Sequence, residues 1–229
     1  MDMRANSNLK LFIKTLLIIY LIFSLCIIYG YAQFRHSDRT PFPYNLDKEI
    51  VGEINLARQN PKKYASFLEQ LKPYYVGKFI KRSGEPTVMT EEGVSAVDEA
   101  IRFLKSVKPV ATLKYSEGMS KAAMDHIRDQ GQKGMLGHRG SDSSQPADRV
   151  NRYGTWQWIV GENISYGRDQ TRDIVIGLII DDGIPSRGHR ENIFNQSYHF
   201  VGVAYGDHKT FGAMCVITFA GGYVEKRGK

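Results

Sequence analysis

The apolar residues that follow position 45 recur at helical spacing. Ile50, Ile54 and Ala57 fall on one face of a helix that begins behind a polar cap. Asn60 and Pro61 are then typical of a new helix start, because proline is favoured at the first helical position. The pattern therefore predicts two consecutive helices at the start of the folded region.

The middle of the chain predicts loops and further helices. Residues 72–86 contain two glycines and two prolines and are expected to form a loop. Thr90 is predicted to cap one helix and Ser116 another. His126 lies on the narrow, small-residue face of the second of these helices, and we interpret it as a hydrogen-bonded structural histidine. Over 146–153 one or two helical turns are expected, with Arg149 exposed.

The last third of the chain favours strands with one helix between them. Residues 155–159 alternate weakly and predict a strand. Residues 171–180 are rich in β-branched side chains, which favours a strand, but the run is interpreted as a buried helix. The apolar runs 200–205 and 211–220 predict a β-hairpin that turns around 208–210. Helices first and a few antiparallel strands later indicate an α+β domain.

The N-terminus has the three-part pattern of a secretory signal peptide. Arg4, Lys10 and Lys14 give a basic start, residues 15–29 are almost wholly apolar, and small residues at 30 and 32 fit cleavage after Ala32. An uncleaved membrane anchor is the alternative, because the apolar run is near the lower length limit for a bilayer span. We expect a secreted, extracellular protein with no stable membrane insertion after cleavage.

The remaining chain is long enough for one domain. Removing residues 1–32 leaves 229 − 32 = 197 residues, which can bury a core without a second domain. We assign 33–44 to an extended leader, 45–224 to the folded domain and 225–229 to a tail. No internal repeat or low-complexity tract interrupts the domain.

Charge and cysteine content narrow the function classes. The formal net charge of +7 falls to +5 without the N-terminal segment, and the basic residues are scattered among acidic ones. Together with export, this distribution gives no reason to expect a nucleic-acid partner. Cys26 leaves with the signal peptide, so Cys215 is alone and no disulfide framework can form within the mature chain. We interpret Cys215 as a small buried hydrophobe.

Four residues near glycines or element ends are candidate site residues. They are His138, Glu162, Asp181 and His189. Two imidazoles and two carboxylates could hold a divalent cation such as zinc, with one position left for water. The same four could act without metal as an acid–base pair, or form a polar network that only fastens loops. No closely spaced ligand pair is present, so spacing alone does not choose among these.

Three segments around these residues resemble the CAP superfamily, also called the SCP domain, and its microbial branch in particular. They are 136–139 (Leu-Gly-His-Arg), 161–164 (Gly-Glu-Asn-Ile) and 186–193, and the closing 202–206 strand adds to the likeness. The resemblance spans about residues 46–223. It implies a three-layer α-β-α sandwich with a small central antiparallel sheet. It also implies a surface cavity lined by two histidines and two acids, which in some members holds a divalent cation.

The family's cavity residues carry over onto specific positions. By resemblance His138 is the first histidine, Glu162 the first acid and His189 the second histidine. The second acid departs from the glutamate of animal members: Asp181 is the nearest match and Glu191 the fallback. The cysteines and cysteine-rich tail of animal relatives are missing, so venom-type or ion-channel activities are not carried over.

Three function classes remain open at this point. The resemblance favours a secreted binding module for a small hydrophobic ligand such as a lipid or sterol, or for a glycan or peptide. The alternative is a metal-assisted or acid–base hydrolase with Glu162 and His189 as candidate catalytic residues. The third is a structural domain. No serine or cysteine is convincingly paired with a base, which disfavours a covalent mechanism. Arg187 and Arg190 are expected to pair with carboxylates such as Asp142, Asp182 or Glu191, or to hold an anion.

Overall fold

A computed structural model describes residues 46–226, which belong to one compact unit. The predicted signal peptide, its cleavage site, the leader, the capping residue at position 45 and the last three residues lie outside the described part. The domain boundaries at residues 32 and 44 therefore stay predictions.

The described residues form seven α-helices, one 3₁₀ turn and two sheets. The α-helices are α1 (Leu46–Gln59), α2 (Pro61–Glu69), α3 (Val94–Ser106), α4 (Glu117–Gln130), α5 (Pro146–Tyr153), α6 (Thr171–Ile180) and α7 (Gly188–Phe194), and the 3₁₀ turn is Lys72–Tyr74. The strands are β1 (Tyr75–Val76), β2 (Phe79–Ile80), β3 (Val88–Met89), β4 (Lys114–Tyr115), β5 (Gly154–Tyr166), β6 (Phe200–His208) and β7 (Gly212–Glu225).

The central sheet has the strand order β4-β6-β7-β5. The expected hairpin is confirmed, with β6 and β7 paired antiparallel from Phe200 opposite Ala220 to His208 opposite Gly212. On its other side β7 pairs antiparallel with β5, whose ladder is interrupted by a bulge between Gln157 and Val160. Only the two-residue β4 runs parallel to its neighbour. Strand β5 is thus a long edge strand.

Helices cover both faces of this sheet. On one face α4 approaches β6 so closely that a side chain at Gly202 would collide with Met119, and Ser120 Oγ accepts a hydrogen bond from Val203 N at 3.0 Å. The apolar cluster between them is Ala123, Ile127, Ile164, Ala204, Met214 and Val216. Helix α1 packs against β6 on the other face, and α6 and α7 contact β5. The α+β class and the α-β-α layers predicted from the sequence are confirmed.

Helix α6 shows burial overriding β propensity. Its apolar residues from Ile174 to Ile180 are buried, apart from Gly177, so tertiary packing and not a pleated surface decides their conformation. The helix ends at Asp181, which adopts the left-handed conformation with φ 56° and ψ 43°. Aspartate tolerates this region better than most residues because its short polar side chain can bond locally.

Two sequence expectations about the region before α3 are wrong. The supposed loop at 72–86 contains the 3₁₀ turn and, with β3, the small antiparallel sheet β1-β2-β3. Thr90 does not cap α3, which begins at Val94 behind Gly93 with φ 65°. Thr90 is engaged elsewhere, since its Oγ1 donates to Lys78 O at 2.7 Å. Short strands of two residues leave no periodic signal in the sequence.

Two further expectations concern capping and the lone cysteine. Ser116 caps α4 as predicted, because its Oγ accepts a hydrogen bond from Met119 N at 3.1 Å. Cys215 is fully buried in β7, and burial raises the pKa of its thiol. It is therefore an inert core residue.

Within residues 46–226 no helix has both the length and the apolar character that a bilayer crossing requires.

Candidate functional site

The first histidine pairs with the first acid. Glu162 Oε1 lies 2.9 Å from His138 Nδ1, and Glu162 Oε2 accepts a hydrogen bond from Arg149 Nη2 at 2.8 Å. Glu162 lies inside β5. The side chains of Arg149 and Glu162 are only 3% and 2% exposed, so they form a buried ion pair. The prediction of an exposed Arg149 is wrong, because the buried carboxylate requires a counter-charge.

The loop that carries His138 is fixed through its main chain. The three consecutive carbonyls of residues 137–139 each accept a hydrogen bond from a different buried side chain. In order, the donors are His126 Nε2 at 2.9 Å, Arg149 Nη1 at 3.1 Å and Gln130 Nε2 at 2.6 Å. Because a carbonyl can only accept, His126 carries its proton on Nε2. His126 is therefore a structural histidine, as predicted.

His126 has no second partner within the described residues. Its Nδ1 is buried without a hydrogen bond, as are Gln130 Oε1 and Arg149 Nε nearby. Burial lowers the pKa of His126, and the positive charge of Arg149 lowers it further, against a smaller opposing effect of Glu162. The imidazole is thus held neutral under the loop.

The second histidine pairs with Asp181, not with Glu191. Asp181 Oδ1 lies 2.6 Å from His189 Nδ1, and Asp181 Oδ2 accepts a hydrogen bond from His189 N at 2.9 Å. The left-handed turn at Asp181 aims its carboxylate along the start of α7, so the shorter aspartate reaches the ring. Glu191 is exposed on α7.

A network of ion pairs fastens the segment between Asp181 and His189 to α3. Arg187 bonds to Glu92 through Nη1 at 2.6 Å and Nη2 at 2.7 Å, to Glu99 through Nη2 at 2.6 Å, and to Asp181 O at 2.8 Å. The Arg187 guanidinium lowers the pKa of Glu92 to about 2. The predicted arginine–carboxylate pairing is therefore present, but with partners that the sequence places about 90 residues away.

Asp182 and Arg190 complete this attachment. Just before α3, the Asp182 carboxylate accepts hydrogen bonds from the backbone N–H groups of Glu91 at 2.7 Å and Glu92 at 2.9 Å. Arg190 bonds to Glu99 at 2.8 Å and to Ile179 O at 2.6 Å. The turn between α6 and α7 is thus held at both ends.

The two pairs meet at adjacent residues of β5. Asn163 Nδ2 donates to His189 O at 2.9 Å, and Asn163 Oδ1 accepts from Asn192 Nδ2 at 2.8 Å. Glu162, one position earlier, belongs to the first pair. The same short stretch of the edge strand therefore belongs to one pair and holds the main chain of the other. Asn163 therefore has a structural role, because it joins β5 to α7.

The donor atoms do not form a four-ligand metal site. No group of three or more His, Cys, Asp or Glu side chains within residues 46–226 is arranged to hold an ion. Both carboxylates already bond to an imidazole and to a further N–H group. A zinc ion would therefore find imidazole nitrogens but no unengaged carboxylate oxygen, which does not fit the predicted four-ligand set. That the two pairs share one hollow stays a prediction.

In both pairs the second ring nitrogen, Nε2, stays available for a ligand. The Nδ1 atom of each ring faces a carboxylate, which favours the tautomer with a proton on Nδ1 and a bare Nε2. Neither Nε2 makes a hydrogen bond to another described residue, and the side chains of His138 and His189 are 48% and 25% exposed. The arrangement can accept a hydrogen bond, bind a cation or accept a proton at two oriented nitrogens.

A family model decides the relationship. The model described as the cysteine-rich secretory protein family, CAP, matches residues 54–219, which is most of the chain. This chain belongs to the CAP family. The sequence-based resemblance is thereby confirmed, and both histidine pairs lie within the matched range.

Individual bacterial proteins resemble the chain over about half of its length. An uncharacterized protein of Bacillus subtilis, YkwD, is 29% identical over 115 residues, covering 50% of this chain and 42% of that protein. An extracellular SCP-domain protein of Bacillus anthracis is 20% identical over 53% of this chain and 37% of its own, with a TM-score of 0.41. An outer surface protein of Borrelia burgdorferi is 16% identical over 56% of this chain and 89% of its own, with a TM-score of 0.42. The chain thus spans less than half the length of the two Bacillus proteins.

Proposed function

We propose that this CAP domain is an exported ligand-binding module in which His138 and His189 bind the ligand through Nε2. The observation that supports it is the pairing of each ring with a carboxylate through Nδ1, which leaves the opposite nitrogen oriented and available. His126, whose ring fastens the 137–139 loop, is by contrast fully buried. Export is supported by the N-terminal pattern of residues 1–32.

The chemistry of a bare imidazole nitrogen limits the ligand. It accepts a hydrogen bond from a hydroxyl or amide group, as a sterol, glycan or peptide provides, and it coordinates a divalent cation such as zinc. Because the carboxylates are already bonded, they act by orienting the rings. This is the arrangement in which a carboxylate fixes the tautomer of a metal-binding histidine and increases its basicity.

Titration calorimetry of the purified chain with zinc and with a panel of sterols, glycans and peptides tests the proposal. We expect the His138→Ala/His189→Ala double variant to lose binding of at least one of these. Asp181→Asn, which tolerates the left-handed turn, should weaken zinc binding about 10–100-fold, the usual effect of removing an orienting partner. His199→Ala is the matched control, since His199 is exposed and bonds to Gly221 O away from both pairs. Unchanged binding in the double variant would refute the proposal.

A second candidate is acid–base hydrolysis, and the same pairs favour it specifically. A carboxylate behind Nδ1 is how a general-base histidine is oriented in hydrolases. Under this alternative His189, and not Glu162, is the base, because Glu162 is buried against Arg149. His189→Ala should then abolish turnover on an ester or peptide panel, and Asp181→Asn should reduce it. Turnover that survives His189→Ala would place the reaction elsewhere.

A further inference from the structure

The small sheet β1-β2-β3 has one face with a distinct composition. Its register places Val76 opposite Phe79, and Phe79 opposite Met89, so these three side chains lie on the same face. Lys81 N also donates a hydrogen bond to Tyr74 O at 2.9 Å, but Tyr74 belongs to the 3₁₀ turn, where strand alternation does not apply. We call Val76, Phe79 and Met89 the outer face.

The apolar members of the outer face are open to solvent. Val76, Phe79 and Met89 are 55%, 43% and 69% exposed. With Tyr74 and Val88, the segment between α2 and α3 holds five of the eleven exposed large apolar side chains in the described part of the chain. Scattered apolar residues need no explanation, but a contiguous group of this kind marks an interaction surface.

The opposite face of the small sheet is turned toward the domain. Tyr75 and Ile80 are paired across the strands and are half-buried. Burial raises the pKa of Tyr75, and the Asp182 carboxylate in the turn after α6 raises it further. The inner face is thus covered at Tyr75 and Ile80 but not at Val88, which pairs with Ile80 and is 52% exposed, whereas every apolar side chain of the outer face is exposed.

The whole segment between α2 and α3, residues 70–93, has a net charge of +1, because Glu91 and Glu92 directly precede α3, but the part that forms the small sheet is more basic. Residues 72–90 carry four basic side chains and one acidic one, a net charge of +3. Lys72 and Arg82 are neutralised by neighbouring carboxylates. Lys78, beside the turn between β1 and β2, and Lys81 are exposed and make no ion pair with another described residue. Two free cations thus adjoin the apolar side chains.

We propose that the outer face docks on the surface of an anionic lipid bilayer. The apolar side chains would enter the boundary between headgroups and acyl chains, while Lys78 and Lys81 pair with anionic headgroups. A protein partner fits this face less well, because lysine is depleted in protein–protein interfaces. The surface is separate from the two histidine pairs, and the inference does not depend on the proposed ligand.

A tryptophan placed on the outer face tests this with the full chain. Phe79→Trp is compared with Phe211→Trp, a matched control because Phe211 is 46% exposed but lies beyond β6. The emission of the unsubstituted chain is subtracted to remove Trp156 and Trp158. We expect phosphatidylglycerol vesicles that contain brominated acyl chains to quench residue 79 and not residue 211. Because quenching reports the depth of one residue, binding through the N-terminal apolar segment cannot mimic it.

Charge and salt give the second part of the test. Adding Lys78→Gln and Lys81→Gln to Phe79→Trp should weaken the docking equilibrium about fivefold for each charge removed. Quenching should also be lost in phosphatidylcholine vesicles and at 1 M salt, where the Debye length is about 3 Å. Absent quenching at residue 79, equal quenching at residue 211, or quenching that ignores lipid charge would each overturn the proposal. A thermal melt of every variant confirms that it is folded.

Discussion

The two histidine pairs have the same local geometry but very different surroundings. His138 lies on a loop whose carbonyls are held by His126, Gln130 and Arg149 from below, and its carboxylate partner is part of a buried ion pair. His189 follows a turn that is held by an ion-pair network near the surface. The His138 pair is therefore fixed by buried polar groups, and the His189 pair by partly hydrated charges.

This difference has a physical consequence for how each side fails. A buried charge that loses its partner cannot regain water, so its full desolvation cost is expressed. A carboxylate that is a third exposed regains hydration when its arginine is removed. Side-chain exposures are 33% and 39% for Glu92 and Glu99, against 2% for Glu162. Substitutions on the two sides should therefore differ in how much they lower the free energy of unfolding. They should also differ in how that loss depends on pH and on salt.

The largest difference between the two sides is expected in the stability lost when Arg149 or Arg187 is replaced. Arg149→Met should lower the free energy of unfolding by about 3–5 kcal/mol, because it leaves Glu162 buried and unpaired. Arg187→Met should cost about 1–2 kcal/mol, because its carboxylates stay hydrated. Urea unfolding measures both. Arg152→Met is the surface control, since its ion pairs are exposed. Equal losses at 149 and 187 would refute the distinction.

A smaller separation is expected from pH. The pKa of His126 is lowered in the folded state, so the unfolded chain binds the proton more readily. The contribution of neutral His126 is therefore complete above its ordinary pKa of about 6.5 and falls as pH decreases below it, by at most about 1.4 kcal/mol per pH unit.

The measurement compares the stability of the wild type and His126→Gln between pH 7 and pH 5, a range chosen to bracket the ordinary histidine value of about 6.5. Glutamine keeps a donor for Gly137 O but does not titrate, so the wild type should lose more stability than the variant. On the His189 side, the lowered pKa of Glu92 places the corresponding loss lower, as pH falls from the ordinary carboxyl range toward about 2. Identical stability profiles of the wild type and His126→Gln above pH 5 would exclude His126 as a source of the pH dependence.

The smallest separation is expected from salt. The cost of Arg187→Met should shrink by up to about 0.5–1 kcal/mol between 0.05 M and 1 M NaCl, because salt screens exposed pairs. The cost of Arg149→Met should stay constant, since a buried pair is screened much less. Urea unfolding of the wild type and both variants at the two salt concentrations measures this. A salt-dependent Arg149 cost would indicate that water reaches the Glu162 carboxylate.

Much of this molecule follows from short-range pattern. Helical spacing predicted α1 and α2, the cap predicted the start of α4, and alternation predicted the β6–β7 hairpin. These features depend on residues a few positions apart, which the sequence displays directly. The residue pattern did not predict the small sheet, because two-residue strands are too short for periodicity to appear.

The sequence supplied four candidate site residues but not their contacts. His138, Glu162, Asp181 and His189 form two imidazole–carboxylate pairs, and the choice of Asp181 over Glu191 needed the left-handed turn that ends α6. Arg149 was missed, since a two-turn helix with little apolar content gives no sign of which side faces inward. Only the buried carboxylate on β5 would have shown that an arginine had to lie there.

The sequence by itself determined the order of most elements and the family, and it predicts an exported-type N-terminus. Tertiary structure alone decided which carboxylate contacts which imidazole, that Arg149 is buried, and that Arg187 reaches α3. The reason is physical: local backbone preferences are written in neighbouring residues, whereas the partner of a buried charge is chosen by the desolvation cost it must offset. That partner can lie anywhere along the chain.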